Sequence, residues 1–575
     1  MKVAVGRGVP VALYLALILV PLILALERLM FVTGMNPIQA ILHLDEHPFG
    51  VNAVVFTFVQ AILSATLTLI LGLPIAWWLG RYEWKRVGII RAALTLPFVT
   101  PTVVAAMGFL ALIKEGGLLD SIGIDLRNET GVIGSFSSMI GVEHSGHIIA
   151  LLLAHAWFNL ALVIRFVEPK ISTLPPRYED AFRMLPIGHG RLNRLTLFWW
   201  PMLRTSILSA FVFTFIFSFT SFALVRWLAP NMWTLEALMA VEGGAAGIPG
   251  YRVDVSVLVL GGATLQGLVL LSALALAGRW QQKQSNEIEL VSENFSRKYI
   301  GKPTTVPRIG IFAATVYALT PLFLMVLSSV RIRNRTSESY RWSLDAWDYA
   351  FKGDLTYASI PEALTNSLVY ASGCLVVSCI LGFFVAQSIH SLEQNGKTRF
   401  AQLVDLLSML PLALSGVMVG LGVLLGILKI WPVLFSWYAL PILPHAMLTT
   451  PFVVRILLPA MREIDSYYDD AGKVLGYTTV QRFVRIKLPL LRPQIVVAAA
   501  LSMAFSLGEF GASWILLRSG AWDTLPVLVD QLMSRPKYFE LVEPIAMATA
   551  TILMCMTFLL FVIAERFRSH QGGGF

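Results

Sequence analysis

HAWFNLALVIRFVEP, residues 155–169, returns 290 positions later as HAMLTTPFVVRILLP, residues 445–459. His155, Ala156, Arg165 and Pro169 align with His445, Ala446, Arg455 and Pro459, and at the same offset Tyr178, Asp180, Ala181 and Leu185 align with Tyr468, Asp470, Ala471 and Leu475. Further on an offset of 288 pairs Gly188, Pro201, Arg204, Phe217, Ser218 and Phe222 with Gly476, Pro489, Arg492, Phe505, Ser506 and Phe510, so Pro186 and Ile187 are an insertion in the first copy. Earlier, an offset of 314 relates Pro97, Val103 and Gly108 to Pro411, Val417 and Gly422. Matches at nearly constant offset across both halves of a chain are the mark of a tandem duplication.

The repeated unit is built for lipid. Of the 575 residues 56% are hydrophobic and 14% charged, and the mean hydropathy is +0.70. About twenty apolar residues in a helix cross a hydrocarbon core of ~30 Å, and about twelve such runs occur, near 9–31, 52–80, 88–113, 147–168, 204–229 and 252–278, then near 308–330, 362–390, 401–428, 432–459, 491–517 and 541–564. They are too long and too uniformly apolar for the alternating strands of a membrane barrel. The expected class is all-α and polytopic: two homologous six-helix repeats, 1–278 and 308–575, joined by a polar linker at 279–307. That linker is either an unstructured cytoplasmic connection or a small extramembrane element.

Charge gives the orientation. The net charge of +9 is spread over short loops rather than gathered on a soluble face, which argues against nucleic acid as a partner. Cytoplasmic loops are enriched in Lys and Arg. Arg81, Lys85, Arg86 and Arg91, then Arg177, Arg183, Arg191 and Arg194, then Arg279, Lys283, Arg297, Lys298 and Lys302 fall in loops on one side, while 33–51 on the other has no Lys or Arg. Both termini are therefore expected in the cytoplasm of a prokaryote, with the chain multi-pass in its inner membrane. The loop 331–361 breaks the pattern with Arg331, Arg333, Arg335, Arg341 and Lys352, partly balanced by Glu338, Asp345, Asp348 and Asp354. Lys2 and Arg7 precede an apolar run without a small-x-small cleavage site, so this run reads as the first transmembrane helix. Cys374, Cys379 and Cys555 fall inside predicted spans and support neither a disulfide framework nor a zinc site.

The long cytoplasmic loop before the fifth span of each half is the most informative segment. In the second half it reads SYYDDAGKVLGYTTVQRFVRIKLPLLRP, residues 466–493. Asp470, Ala471 and Gly472 open a short helix, Leu475 is its expected apolar anchor, and Gly476 is suited to the left-handed conformation that ends it. Pro489 is expected to set the start of the membrane helix. A short amphipathic helix between two spans is either an ordinary interfacial helix or a device that passes a push from a partner into the membrane. Two copies with the same 13-residue step from Gly to Pro favour the device.

These loops resemble the signature of binding-protein-dependent ABC importer permeases, E-A-A, three residues, G, then I-x-L-P. In the second half Asp470, Ala471, Gly472, Gly476 and Ile486-Lys487-Leu488-Pro489 match it; in the first, Asp180-Ala181-Phe182 and Leu185 precede the insertion before Gly188, and Trp200-Pro201 replaces Leu-Pro. The resemblance narrows to the fused permeases of ferric-iron and thiamine importers, and HAWFNLALVIR at 155–165, SLGEFGASWILL at 506–517 and the pairs Thr234-Leu235 and Thr524-Leu525 look like the thiamine-transporting members. It implies a type I importer. A substrate-binding protein delivers a small molecule or metal ion from outside, two copies of an ABC ATPase dock on the two loops, and the chain itself binds no cofactor, ATP being used by the partner subunits.

No nucleotide site is legible. Gly396-Lys397-Thr398 has Ser391 where a phosphate-wrapping loop needs a further glycine, and neither a serine nucleophile elbow nor a paired carboxylate stands on a helix face. The alternatives are an ion-coupled secondary transporter, which can also have parallel six-helix repeats but needs an acidic relay, and a membrane scaffold or receptor, which predicts no coupling loops. Within the spans Glu509 is the clearest ionisable group. It either faces a substrate path or is a carboxylate satisfied by a backbone donor or a Lys or Arg; Thr220 stands at the nearby level of the first half. Ser506, Ser218, Phe222 and Phe510 are candidates for the same path, with Phe217 and Phe505 as further aromatics; all four rings are alternatively packing core. His155 and His445 are read as starting their spans, as structural hydrogen-bonders or as ligands. Gly416, Gly420 and Gly422 allow close helix approach.

Overall fold

A computed structural model describes residues 2–126, 135, 139, 144–174, 176–230, 232–289, 301–334, 339–352, 359–464, 466–517, 522–536 and 539–568. Among them eleven helices are long and apolar enough to cross a membrane: Val9–Thr33, Gly50–Arg81, Thr102–Ser121, Ser145–Thr173, Arg191–Phe219, Val253–Trp280, Thr305–Ser328, Ile360–Gln394, Ile442–Glu463, Val480–Gly508 and Val542–Phe567. The protein is all-α and polytopic, with a single two-stranded hairpin among the described residues. Side chains such as Phe31, Ile70, Phe312 and Leu559 project outward, an apolar exterior suited to lipid. The helix contacts instead use small residues, as membrane helices do. A Cβ on Gly72 would lie 2.8 Å from Val163 Cβ, and one on Gly382 2.6 Å from Val453 Cβ. These are equivalent contacts in the two repeats.

The expected span 401–428 is not one helix. It divides into Thr398–Ser408, a 3-10 turn Leu410–Ala413, and Gly416–Gly422 continuing through a π-helical stretch to Ile430. Pro411 interrupts the ladder, and Ser415 caps the new start by accepting from Met418 N at 3.0 Å. Its counterpart 88–113 is likewise split, into Val87–Val99 and Thr102–Ile113 around Thr100-Pro101. The runs 204–229 and 491–517 also divide, into Trp200–Phe219 with Ala223–Leu228 and Leu488–Gly508 with Gly511–Leu516, and 432–459 begins only at Ile442. Both loop prolines stand in the first turn of their membrane helices, Trp200–Phe219 and Leu488–Gly508. Pro201 and Pro489 each follow a π-helical stretch, Arg194–Trp199 and Phe483–Lys487, a wider winding that accommodates a residue without an N–H.

The first helix of each repeat is exchanged. Lys2–Thr33 lies against second-half elements: Tyr14 donates to Ser408 O at 3.0 Å and Arg28 to Leu425 O at 3.2 Å, and Gly426 leaves no room for a Cβ beside Pro21. Conversely Thr305–Ser328 packs on the first half, where Trp157 donates to Ala318 O at 3.0 Å and Tyr317 to Leu153 O at 2.6 Å. The helix Val253–Glu289 runs into the predicted linker, the chain is helical again from Thr305, and residues 290–300 lie outside the described part. The basic loop 331–361 forms a hairpin of Arg331–Arg333 with Tyr340–Trp342. Arg333 pairs with Glu115 at 2.9 Å and Arg331 sits 3.6 Å over the Tyr340 ring; Arg335, Glu338 and Asp354 lie outside the described residues.

Candidate functional site: a cavity at four helix breaks and two loops beside it

The four breaks meet. A Cβ on Gly508 would lie 3.1 Å from Pro101 Cβ, and one on Gly511 3.0 Å from Val417 N. Around them the halves enclose a cavity of about 510 Å³ lined by the break residues Thr100, Pro101, Thr220, Phe222, Ser415 and Glu509 and by side chains of the flanking helices. That size holds one small organic solute. Discontinuous helices at a repeat interface are where transporters expose backbone groups and helix ends to a solute.

Glu509 sits at a break, not inside a continuous span. Its Oε1 accepts from Ala512 N and its Oε2 from Ser513 N, both at 3.0 Å, and Oε2 lies 3.4 Å from His445 Nε2. The carboxylate is thus satisfied by backbone donors and also lines the cavity. At the 288 offset the first half carries Ser221 there. His445 is fully engaged, with Ser506 Oγ at 2.7 Å and Ser513 Oγ at 2.8 Å. His155 does not start its span; it lies well inside Ser145–Thr173 and bonds Ser64 Oγ at 2.9 Å. Ser218 accepts at its carbonyl from Gln60 Nε2 at 2.8 Å. Phe222 and Phe510 stack on each other across the halves with centroids 5.2 Å apart, with Trp514 against Phe222. Phe505 stacks on Phe452 at 4.4 Å, and Phe217 meets Phe98 edge-on.

Two features escape sequence reasoning. Arg226 of the first half forms a two-pronged pair with Asp530 of the second, Nε to Oδ1 at 2.6 Å and Nη2 to Oδ2 at 3.2 Å, and Trp514 Nε1 donates to the same carboxylate at 2.8 Å. Asp530 is a lone acid in the apolar run LPVLVDQL, a signal that was available. Buried Glu236 also lines the cavity and accepts from Gln266 Nε2 at 2.6 Å. The lining also includes Phe510 of the stack at one place and Arg165, Arg455 and Glu565 at another.

The first loop forms the helix Pro176–Met184 and the second Ser466–Val474. Gly476 ends the latter with φ 74°, Tyr477 N returning to Gly472 O at 3.0 Å, as a left-handed helix end requires. Gly472 is the inward contact: a Cβ there would lie 2.7 Å from Ile486 Cδ1. Leu475, expected to anchor the helix, is instead 68% exposed, beside Val474 at 88%, and Leu185 and Met184 of the first loop are 49% and 81% exposed. Because glycine lets the helix lie close, the leucine is left free. Asp470 pairs with Lys473 at 2.6 Å, and Asp180 lies 3.8 Å from Arg183. Ala181 is exposed, as are Pro201 and Pro489, Ala471 is half-buried, and Gly188 is buried with no room for a Cβ beside Phe182 O. The first loop is tied to the membrane helices by Glu179, which Arg81 meets at 2.7 Å and Arg183 at 2.8 Å. Arg81 itself lies between the Trp77 and Trp199 rings, 4.8 Å from each.

Residues 378–570 match the family described as the binding-protein-dependent transport system inner membrane component. The chain is similar to the thiamine transport system permease protein of Brucella abortus, 26% identical over 531 residues, covering 89% of this chain and 86% of that one. The Escherichia coli thiamine permease is 24% identical over 528 residues, covering 90% and 88%. The sulfate transport system permease protein CysT of E. coli is 29% identical over 225 residues, covering 38% of this chain and 80% of its own.

Proposed function

Since this chain is a fused two-half permease subunit of an ABC importer, multi-pass in the inner membrane and working with an ATPase and a substrate-binding protein, we propose that the solute it carries is thiamine. The observation that carries this reading is the similarity to two-half thiamine permeases along about nine-tenths of the chain. The cavity supports it: aromatic rings and the carboxylates of Glu509 and Glu236 line it, and a heteroaromatic cation is attracted by both ring faces and negative charge.

In this reading the chain has no nucleotide site of its own and binds no cofactor. ATP acts in two copies of the ATPase, one docked on each loop through the exposed Met184 and Leu185 and the exposed Val474 and Leu475. Asp180–Gly188 and Asp470–Gly476 pass ATPase closure to the halves, and the inserted Pro186-Ile187 makes the two engagements unequal. The binding protein delivers at the opposite face, behind the Phe222–Phe510 stack and the Arg226–Asp530 pair, which must part for entry. Ser218 and Ser506 do not line the cavity but stand against Asn159 and His445. The repeats 1–278 and 308–575 then act as the two moving units, each holding the other's first helix, and both termini lie on the ATPase side.

The test is thiamine uptake into vesicles containing the chain with its ATPase and binding protein. Gly476→Pro and Asp470→Arg are expected to abolish ATP-dependent uptake and ATPase co-purification while leaving the permease inserted. Uptake unchanged in these variants, or driven by an ion gradient without ATP, overturns the proposal.

A further inference from the structure

Equivalent side chains of the two halves stand in different hydrogen-bonding states, and the first half's His155 and Asn159 line the cavity, whereas of the second half's His445 and Thr449 the lining has Thr449 alone. In the second half His445 spends both ring nitrogens on Ser506, Ser513 and Glu509. Thr449 donates to His445 O at 2.9 Å and touches Cys374 Sγ at 3.1 Å. In the first half Ser513 is replaced by Val225 and Glu509 by Ser221, so His155 has a partner only at Nδ1 and its Nε2 is left without one. Asn159 takes the place of Thr449. Its Nδ2 donates to His155 O at 3.0 Å and approaches Ser218 Oγ at 3.5 Å, while its Oδ1 has no partner. Both side chains are buried, 2% and 1% exposed, and both line the cavity.

A buried polar atom without a partner is costly, and a ligand that pairs it recovers that cost. In the tautomer in which the Ser64 hydroxyl donates to Nδ1, His155 Nε2 carries hydrogen and donates, and Asn159 Oδ1 accepts. Together they present one donor beside one acceptor. The complement is an exocyclic amine next to a ring nitrogen. In the same cavity Glu509, held by two backbone N–H groups and His445, pairs with no Lys or Arg among the described residues, which leaves its charge for the solute.

We propose that Asn159 and His155 form a recognition subsite for the amine-bearing edge of the transported heteroaromatic cation, with Glu509 holding its positive charge. The inference rests on the thiamine reading above and deepens it. Because the second half's equivalents are already engaged, the solute is held in a single orientation against the first half.

The experiment measures equilibrium binding of thiamine, and of its analogue with oxygen in place of the exocyclic amine, to the purified permease–ATPase complex without the binding protein. The native complex is expected to prefer thiamine by about tenfold, the scale of one buried hydrogen bond. Asn159→Thr, which installs the second half's own residue, should weaken thiamine binding by a similar factor and erase the preference. Asn159→Asp, which keeps the acceptor, should restore it. Native affinity and preference in Asn159→Thr overturn the subsite, as does a native complex that does not discriminate. Absence of thiamine uptake by the complete native system overturns the thiamine reading and the subsite with it; uptake together with unaltered Asn159→Thr binding overturns the subsite alone.

Discussion

Asp530→Asn isolates what the cross-half ion pair contributes. The substitution keeps the side chain's shape and a carbonyl for Trp514 Nε1, but removes the charge that faces Arg226 through two contacts of 2.6 and 3.2 Å. The Asp530 side chain is 5% exposed and that of Arg226 22%. Breaking a fully buried pair from one side costs about 3–5 kcal/mol; with Arg226 partly solvated and stacked 5.1 Å over Trp514, a value of ~2–3 kcal/mol is reasonable here. If the pair parts when the halves separate, this whole cost falls on the closed conformation, shifting the closed–open ratio by roughly 30- to 150-fold. The assay labels Ser221→Cys, on the cavity wall beside the stack, with a membrane-impermeant thiol reagent from the outer face. The background lacks Cys374, Cys379 and Cys555. Labelling should accelerate at least tenfold in Asp530→Asn, and the exchange Arg226→Asp with Asp530→Arg should return it most of the way. Acceleration below twofold, in protein that is inserted and less heat-stable than native, would show the pair to be structural glue and refute its role as a gate.

Gly472→Leu should abolish co-purification of the ATPase while insertion is retained, because its Cβ meets Ile486 at 2.7 Å; Gly476→Ala, strained at φ 74° by about 1–2 kcal/mol but in open space, should lower it only in part. For Glu179 burial tends to raise the carboxyl's pKa, but the hydrogen bonds and charges of Arg81 and Arg183 outweigh it and hold the group below its ordinary value. A depressed folded value contributes stability above the unfolded pKa, lost as pH falls through the folded one. The detergent-solubilised chain should therefore lose more thermal stability than Glu179→Gln between neutral pH and a pH below about 4, and equal losses would remove Glu179 from the account.

The repeat, the membrane class and the two loops are legible because each leaves a one-dimensional trace: offset, run length, and a Gly-to-Pro step. The breaks leave almost none. Hydropathy continues unbroken through Thr100-Pro101 and through Thr220–Phe222, and proline is tolerated in intact membrane helices as readily as at their interruptions. Leu475 is ambiguous in the sequence because an apolar residue at a loop helix can equally be buried or exposed, and only the packing of Gly472 against Ile486 shows that it is exposed. Arg226 and Asp530 look like separate charges near span ends, 304 residues apart. The fold alone makes them a pair. Glu509, by contrast, announces itself as a lone carboxylate in an apolar run, although nothing in the sequence reveals that it caps Gly511–Leu516.

The exchanged first helices bear on how the protein is made. Tyr14 and Arg28 meet partners 394 and 397 residues further along the chain; at ~5–20 residues per second a ribosome needs about 20–80 s to supply them. Through that interval the helix Lys2–Thr33 holds a guanidinium whose carbonyl acceptors, Gly247 O and Leu425 O, emerge one after the other, so the arginine must reach for the interface in the meantime. Biogenesis thus runs opposite to the apparent modularity of the sequence. The amino-terminal half cannot mature when its own synthesis ends, and the last-made repeat closes both.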